Sequence, residues 1–250
     1  MEVISFRLYG DYALFKKPWC NLQQQSYLIP PKTTVIGIIG GILGYGKEEY
    51  LTKLNFEEIK IGIEIRATIK KEVNGFNYMH GKEMFSRTKF KGLSNVLRNP
   101  TNKGQRSPTK LELLKNADYR IYIAFNNKKL QDNFYSLIEK SQCYFPPFLG
   151  QVNLFANISD INPPTDLMED PFLNTIHTIV PEDAADISKI EGMFFRERIP
   201  IQMNTDRSSP QYKSFVFYNE HNKELPIIPK KGYIIGKLNI RDNEKRILLF

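Results

Sequence analysis

The chain has 250 residues, with 35 Lys and Arg against 27 Asp and Glu and a formal net charge of +8. Its hydrophobic content of 41% is ordinary for a soluble globular protein that buries a core in one large domain or two small ones. Two cysteines, Cys20 and Cys143, exclude a disulfide framework and favour a reducing compartment. Because there is no secretory signal and no apolar stretch long enough to cross a bilayer, we expect a cytoplasmic protein without membrane contact.

Two early segments predict strands. Met1–Tyr9 is rich in β-forming residues, and Gly10 with Asp11 is expected to end it. Glu57–Lys71 alternates almost strictly between isoleucine and polar residues, which predicts one strand with one buried face.

A helix rich in glycine is expected between these strands. It should span Val35–Leu43, with Thr33 or Thr34 as its cap. Each interior glycine costs roughly 1 kcal/mol relative to alanine, so such a helix usually gains a close backbone approach to a sheet or a ligand. The stretch Gly41–Lys47 also fits G-x-x-x-x-G-K, but it follows a helix and continues with Glu48, so a glycine-rich helix end explains it better than a nucleotide site.

The positive charge is concentrated in one segment. Residues 84–111 contain seven basic side chains and no acidic one, and aromatic residues are interleaved with them. Cations that follow phosphates and rings that stack on bases are what a single-stranded nucleic acid needs. A solvated loop rich in like charges is the alternative.

Strand and helix patterns resume after this segment. Tyr119–Phe125 predicts a strand, Lys128–Lys140 an amphipathic helix and Val152–Ile158 a further strand. The order β, α, β, insertion, β, α, β is that of an α+β, ferredoxin-like (RRM-like, βαββαβ) domain. We therefore expect such a palm over residues 1–162, with the hairpin between its middle strands extended into a basic arm over about 73–117.

The remaining residues, 163–250, predict a smaller β-rich unit. Prolines punctuate short apolar runs there, and Ser214–Tyr218, Tyr233–Leu238 and Arg246–Phe250 are typical of strands.

Catalytic and metal signals are weak. The three histidines lie in separate segments without metal-ligand spacing, so no metal or cofactor is predicted. His80, which lies near the basic arm, is a candidate general acid or base for metal-free RNA cleavage; a surface histidine is the simpler interpretation. Lys16 and Lys17 precede Trp19, the single tryptophan, which either stacks on a base or is half-buried beside solvated lysines.

Several segments in order resemble the Cas five family of CRISPR-associated RAMP proteins. Phe6–Pro18 (FRLYGDYALFKKP) and Ser26–Leu43 (SYLIPPKTTVIGIIGGIL) are similar to the start of that family. Ser107–Phe125 and Tyr144–Ala156 are similar to its middle section. The resemblance covers about the first 160 residues and is greatest to the type I-B-like branch.

This resemblance implies a ferredoxin-like palm with an inserted β-hairpin thumb. It also implies a subunit of a type I Cascade antiviral surveillance complex that caps the 5′ handle of the CRISPR RNA. The implied protein partners are the Cas seven backbone subunit and the large subunit, and target DNA would be met only through the complex.

One branch of the family, type I-C, also cleaves the precursor RNA with a tyrosine after the first helix and a nearby lysine and histidine. Here Tyr45 is slightly displaced from that place, and the strand Tyr119–Phe125 has no histidine. We therefore predict a non-catalytic RNA-binding subunit. A metal-independent endoribonuclease that uses Tyr45 and His80 is the alternative, and a general nucleic-acid chaperone is a third interpretation.

The predicted RNA-binding residues fall into three groups. On the thumb they are Phe85, Arg87, Lys89, Phe90, Lys91, Arg98, Arg106 and Lys110. On the palm they are Tyr12, Lys16, Lys17, Trp19 and Tyr27. At the helix N-terminus they are Thr33 and Thr34, where free N–H groups suit a phosphate.

Overall fold

The computed structural model describes residues 1–20, 23–79, 85–86, 89–90, 106–241 and 243–250. Its helices are α1 (Lys32–Ile42), α2 (Tyr50–Lys53) and α3 (Lys128–Glu139), with 3-10 turns at Glu182–Ala184 and Ile187–Lys189. Its strands are β1 (Glu2–Ala13), β2 (Phe15–Lys16), β3 (Gln23–Gln24), β4 (Ser26–Tyr27), β5 (Ile59–Ile65), β6 (Lys70–Met79), β7 (Phe85–Ser86), β8 (Lys89–Phe90), β9 (Arg106–Phe125), β10 (Asn157–Asp166), β11 (Met168–Glu169), β12 (Thr175–Ile176), β13 (Val180–Pro181), β14 (Phe195–Gln202), β15 (Gln211–Phe217), β16 (Leu225–Pro226), β17 (Ile234–Ile240) and β18 (Asn243–Leu249).

The main sheet is built around β9. This strand pairs antiparallel with β1 on one edge and with β5 and then β6 on the other, while β10 pairs antiparallel with β1. The spatial order over the central part is therefore β10, β1, β9, β5. Because β6 pairs with the first half of β9 from Lys70↔Lys115 to Met79↔Arg106, the two strands form the stem of a long hairpin.

Both faces of the sheet are covered. Helices α1 and α3 share one large core with it, and that core also includes Phe215, Phe217 and Phe250 of the C-terminal part. On the opposite face, the hairpin of β17 and β18 packs Leu238, Ile247 and other apolar residues against Tyr122 and Ala124. The prediction that β5 has a single buried face is therefore wrong: Gly62 and Glu64 are buried beneath β18, where a Cβ on Gly62 would lie 2.9 Å from the Leu248 carbonyl oxygen.

The strand predicted over Glu57–Lys71 is in fact two strands. Ile65 pairs with Tyr119 whereas Lys70 pairs with Lys115, so one extra residue lies on the outer strand between these pairs. The Asn219 side chain accepts from the Ile69 N–H at 2.9 Å and donates to its carbonyl at 2.8 Å. This side chain replaces the hydrogen bonds that a neighbouring strand would otherwise make at Ile69. The alternation of apolar and polar residues continues across this interruption, so it does not reveal where β5 ends and β6 begins.

Other predicted boundaries also move. The first strand does not stop at Gly10, which pairs with Ala117 inside a continuous β1. The last palm strand begins at Asn157 rather than Val152, because Val152 and Phe155 lie in an exposed turn. The helix Lys128–Glu139 and the strands near 214, 233 and 246 lie where the sequence predicts them.

Helix α1 starts earlier than expected, and neither predicted threonine caps it. Its N-cap is Pro31, whose carbonyl accepts from the N–H groups of Thr34 at 2.9 Å and Val35 at 3.1 Å. Thr33 and Thr34 therefore lie in the first turn.

The division into units at residue 162 stays a prediction. Strand β10 crosses that point, and one core joins residues from both sides. No helix within the described ranges is long and apolar enough to span a membrane.

Lys32 is the one α1 side chain whose charge is costly. It is 5% exposed, and its Nζ donates to the Phe250 main-chain oxygen at 3.0 Å. Burial, assisted by the charge of Lys60, lowers the pKa of Lys32 to about 7. The unfolded chain therefore holds a proton at this position between pH 7 and about 10.5 that the folded chain lacks.

We expect the stability of the wild type to rise relative to Lys32→Met as the pH increases from 7 to 10. The slope should approach about 1.4 kcal/mol per pH unit, because over this range only the unfolded lysine binds the proton. Urea unfolding of both proteins at several pH values measures it. If the free energies of unfolding of the two proteins changed in parallel with pH across this range, the lowered pKa of Lys32 would be contradicted.

Candidate nucleic-acid interface

An aromatic surface forms where the loop after β2 meets β14 and β15. Trp19 is 59% exposed, and its ring centroid lies 6.0 Å from that of Tyr27 and 6.1 Å from that of Tyr212. Lys17 Nζ is 5.4 Å from the Tyr27 centroid, and the Arg198 guanidinium is 5.4 Å from the Tyr212 centroid. These five residues, here called the Trp19 patch, combine an exposed indole with two cations that lie against its two neighbouring rings. This combination suits an unstacked base and its phosphates.

A half-buried carboxylate holds the patch in place. Glu197 on β14 accepts from the Leu28 N–H at 2.8 Å, and its other oxygen lies 3.6 Å from Lys17 Nζ. Burial raises the pKa of Glu197, although the Leu28 hydrogen bond and the Lys17 charge oppose this. Glu197 thus ties the segment before α1 to the C-terminal part and positions Lys17.

Tyr27 is the buried member of the patch and does not lie along its surface. It is 2% exposed, and its hydroxyl is buried without a hydrogen-bond partner among the described residues. Burial raises the pKa of this hydroxyl far above its ordinary value, so it stays protonated. An unpaired buried hydroxyl costs about 1–3 kcal/mol, and a ligand that reaches it can recover that cost.

The Trp19 patch is connected to the hairpin stem. Strand β3, four residues after Trp19, pairs in parallel with Lys110 and Leu111 of β9. On the stem, the rings of Phe76 and Tyr78 stack at 6.3 Å, and Tyr78 is 41% exposed. The aromatic surface of the palm and the basic arm therefore meet at one edge of the sheet.

The other predicted palm and thumb residues are placed as follows. Tyr12 is half-buried against Leu14 and Leu111 at the base of the stem, while Lys16 and Lys110 are exposed. Phe85, Lys89 and Phe90 are described only as backbone of the short β7–β8 pair, and Arg106 only as the start of β9. His80, Arg87, Lys91 and Arg98 lie outside the described residues.

Thr33, Thr34 and Tyr45 line a different place, a cleft of about 630 Å³ beside α1. We call it the α1 cleft. Its floor contains Gly37 and Gly41, one wall contains Phe145 and Phe148, and its rim includes Lys47 and Arg207.

Tyr45 reaches the cleft because of how α1 ends. Gly44 adopts a φ of +83°, the Tyr45 N–H donates to the Gly40 carbonyl at 2.8 Å, and the Gly44 N–H donates to Gly41 at 3.1 Å. This is a Schellman cap, so the glycine-rich helix end predicted from sequence is confirmed.

Among the described residues, the catalytic candidate Tyr45 has a cation beside it. Lys53 Nζ lies 4.7 Å from its ring centroid. No histidine or carboxylate lines the described part of the α1 cleft. Within the described ranges, no group of histidine, cysteine and carboxylate side chains is arranged to hold a metal.

A second cleft, of about 500 Å³, lies on the opposite face of the sheet and is strongly charged. Arg66 donates to Asp160 at 3.1 Å, while Arg120 and Arg241 lie 3.6 and 3.4 Å from the same carboxylate. Burial alone would raise the pKa of Asp160, but these three guanidinium groups lower it. Asp160 therefore remains ionised and joins β5, β9 and the β17–β18 turn.

Sequence reasoning missed the C-terminal contribution to the Trp19 patch. Glu197 and Arg198 lie in the run Arg196–Arg198, and Tyr212 is the second residue of the next strand. The mixture of charged and aromatic residues in these strands indicates a candidate nucleic-acid surface. Nothing in the order of the sequence, however, places these residues beside Trp19.

The fold is mixed α/β with mostly strands, and solved CRISPR proteins share it. A chain described as "CRISPR RNA-guided surveillance complex" matches with a TM-score of 0.54 and 14% identity, covering 91% of this chain and 90% of that one. A CRISPR protein from Archaeoglobus fulgidus matches with a TM-score of 0.54 and 11% identity, covering 99% and 98%.

The sequence identifies the family. The protein-family model described as CRISPR-associated protein (Cas_Cas5) matches residues 3–209. The chain therefore belongs to the Cas5 family, as the resemblance in sequence predicted. No curated protein matches the sequence. The type I-B-like assignment stays a prediction.

Removing the unpaired hydroxyl tests the burial of Tyr27. We expect Tyr27→Phe to leave the fold intact and to raise the free energy of unfolding by about 1 kcal/mol, because the variant buries no unsatisfied polar atom. Chemical denaturation of the two proteins measures the difference. A loss of more than about 1 kcal/mol would mean that the hydroxyl has a partner in solution.

Proposed function

We propose that this protein is an RNA-binding subunit of a CRISPR effector complex that holds the 5′ handle of the CRISPR RNA. Membership of the Cas5 family supports the assignment to a CRISPR system. The similarity in fold to a chain of an RNA-guided surveillance complex is consistent with a place in such an assembly. In this proposal the protein acts in the cytoplasm as a type I, I-B-like Cascade subunit.

The observation that carries the proposal is the junction between the Trp19 patch and the hairpin stem. An exposed indole with two flanking cations lies beside a strand that leads into the only segment with a large excess of positive charge. A single strand of RNA can stack a base on Trp19 while its phosphates follow the lysines and arginines of the arm.

The finer architecture belongs to the same proposal. The strand order β10, β1, β9, β5 and the positions of α1 and α3 are consistent with a ferredoxin-like palm. In this proposal the hairpin of β6 and β9 is the thumb, and the backbone and large subunits bind the remaining surfaces.

The arm should supply most of the electrostatic attraction. We expect a combined Arg87/Lys89/Lys91→Ala variant to bind labelled precursor CRISPR RNA about tenfold or more weakly than the wild type. The slope of log affinity against log salt concentration should become shallower by about two, because the variant neutralises three fewer phosphates and a single strand then releases fewer counterions. Fluorescence anisotropy in EDTA over a salt series measures both values.

The matched control is Lys129/Lys140/Lys231→Ala, which removes the same charge from exposed positions away from the hairpin. It should bind nearly as tightly as the wild type. Equal weakening of both variants would indicate non-specific attraction. A cut product on a denaturing gel would favour the endoribonuclease alternative.

Stacking on Trp19 can be observed directly, because it is the single tryptophan. We expect single-stranded precursor RNA to quench its fluorescence, and Trp19→Leu to weaken binding by about 1–3 kcal/mol. A fully double-stranded RNA should leave the emission nearly unchanged, since its bases are already stacked. Tight binding of the single strand without any change in emission would place the RNA elsewhere.

A further inference from the structure

The glycines of α1 do not all have the same explanation. A Cβ on Gly40 would lie 2.8 Å from Tyr50 Cβ, and one on Gly44 would lie 2.7 Å from the Tyr144 ring, so internal packing requires both residues. A Cβ on Gly37 would meet nothing within 4 Å, and one on Gly41 would only touch Phe145 at 3.8 Å. Interior glycine weakens a helix, yet packing among the described residues does not require glycine at positions 37 and 41, which form the floor of the α1 cleft.

The aromatic wall opposite this floor is held rigidly. The N–H groups of Tyr144 and Phe145 donate to the carbonyls of Ile42 and Gly41 at 3.2 and 3.1 Å, which fixes the 144–148 turn to the end of α1. Phe145 remains 51% exposed and Phe148 37% exposed. The cleft is thus a slot with a flat floor and aromatic rings at its side, already formed without a ligand.

The rim is cationic. The Arg207 guanidinium donates to the Lys47 carbonyl at 2.8 Å and lies 5.4 Å from the Tyr50 centroid, which holds it at the opening. Lys47 is exposed beside it. No carboxylate lines the described cleft, and a phosphate at this rim meets the charges of Lys47 and Arg207. Glu48, Glu49 and Asp206 adjoin these two residues in sequence but are not part of the lining.

We infer that the α1 cleft binds one unstacked nucleobase of the RNA strand, with its phosphate at Lys47 and Arg207; this rests on the proposed function. A base uses all three features: the flat floor admits its plane, the rings of Phe145 and Phe148 stack or pack against it, and the rim neutralises its phosphate. An apolar protein side chain would use only the first two. The volume of about 630 Å³ lies in the usual range of ligand pockets.

The glycine floor gives a test in which stability and binding move in opposite directions. Gly37→Ala should raise the unfolding midpoint by about 2–4 °C, because alanine favours the helix and its methyl group meets no atom. The same methyl group should weaken binding of labelled precursor CRISPR RNA several-fold. Phe148→Leu should weaken binding about tenfold through lost stacking.

Phe172→Leu is the matched control, because Phe172 is 84% exposed and does not line the cleft. It should bind RNA like the wild type. RNA containing 4-thiouridine should also crosslink to the peptide that carries Phe145 and Phe148, and the Gly37→Ala variant should reduce this crosslink.

The inference is overturned if Gly37→Ala and Phe148→Leu bind RNA like the wild type while Arg87/Lys89/Lys91→Ala binds weakly; the proposed function then survives without this site. Loss of a co-purifying protein subunit from these two variants, with RNA affinity unchanged, would overturn it in favour of a protein contact. If the wild type binds no RNA at all, the proposed function itself fails.

Discussion

The structure depends on the pairing of β9 along both of its edges. This 20-residue strand holds β1 on one side and β5 with β6 on the other. Its second half is buried on both faces, and Tyr119 and Tyr122 donate there to the Leu28 carbonyl at 2.6 Å and to Glu64 at 2.5 Å. Because its first half continues as the hairpin stem, the rigid core of the sheet directly supports the basic arm.

The C-terminal part completes this palm rather than standing apart from it. The β17–β18 hairpin covers one face of the main sheet, while Phe215 and Phe250 enter the core on the other. Glu64, 2% exposed, is paired with Lys245 of β18 at 2.7 Å, and a buried charge of this kind requires such a partner. The same C-terminal part supplies Tyr212 and Arg198 to the Trp19 patch. The interface and the core are therefore built by the same long-range contacts.

Two surfaces of different character result. The Trp19 patch is open to solvent at its indole, with Tyr27 buried and Glu197 half-buried below it. The α1 cleft is concave, and it is bounded by the C-terminal cap of α1, by the 144–148 turn that is hydrogen-bonded to α1, and by Arg207. Both combine aromatic rings with cations, which is the combination that single-stranded nucleic acids favour. The excess charge of the arm adds attraction over a longer range.

Local sequence patterns determined the elements whose signal is local. The amphipathic helix Lys128–Glu139, the glycine end of α1 and the concentration of charge near residues 84–111 follow from nearest neighbours in the chain. The ordered motifs also identified the family.

Tertiary structure alone decided the break between β5 and β6 and the burial of Tyr27 beneath Trp19. Each of these depends on a partner distant in sequence: Asn219 at Ile69, and Tyr212 beside Trp19. Periodicity records which face of an element is apolar, but it carries no information about which remote residue covers that face.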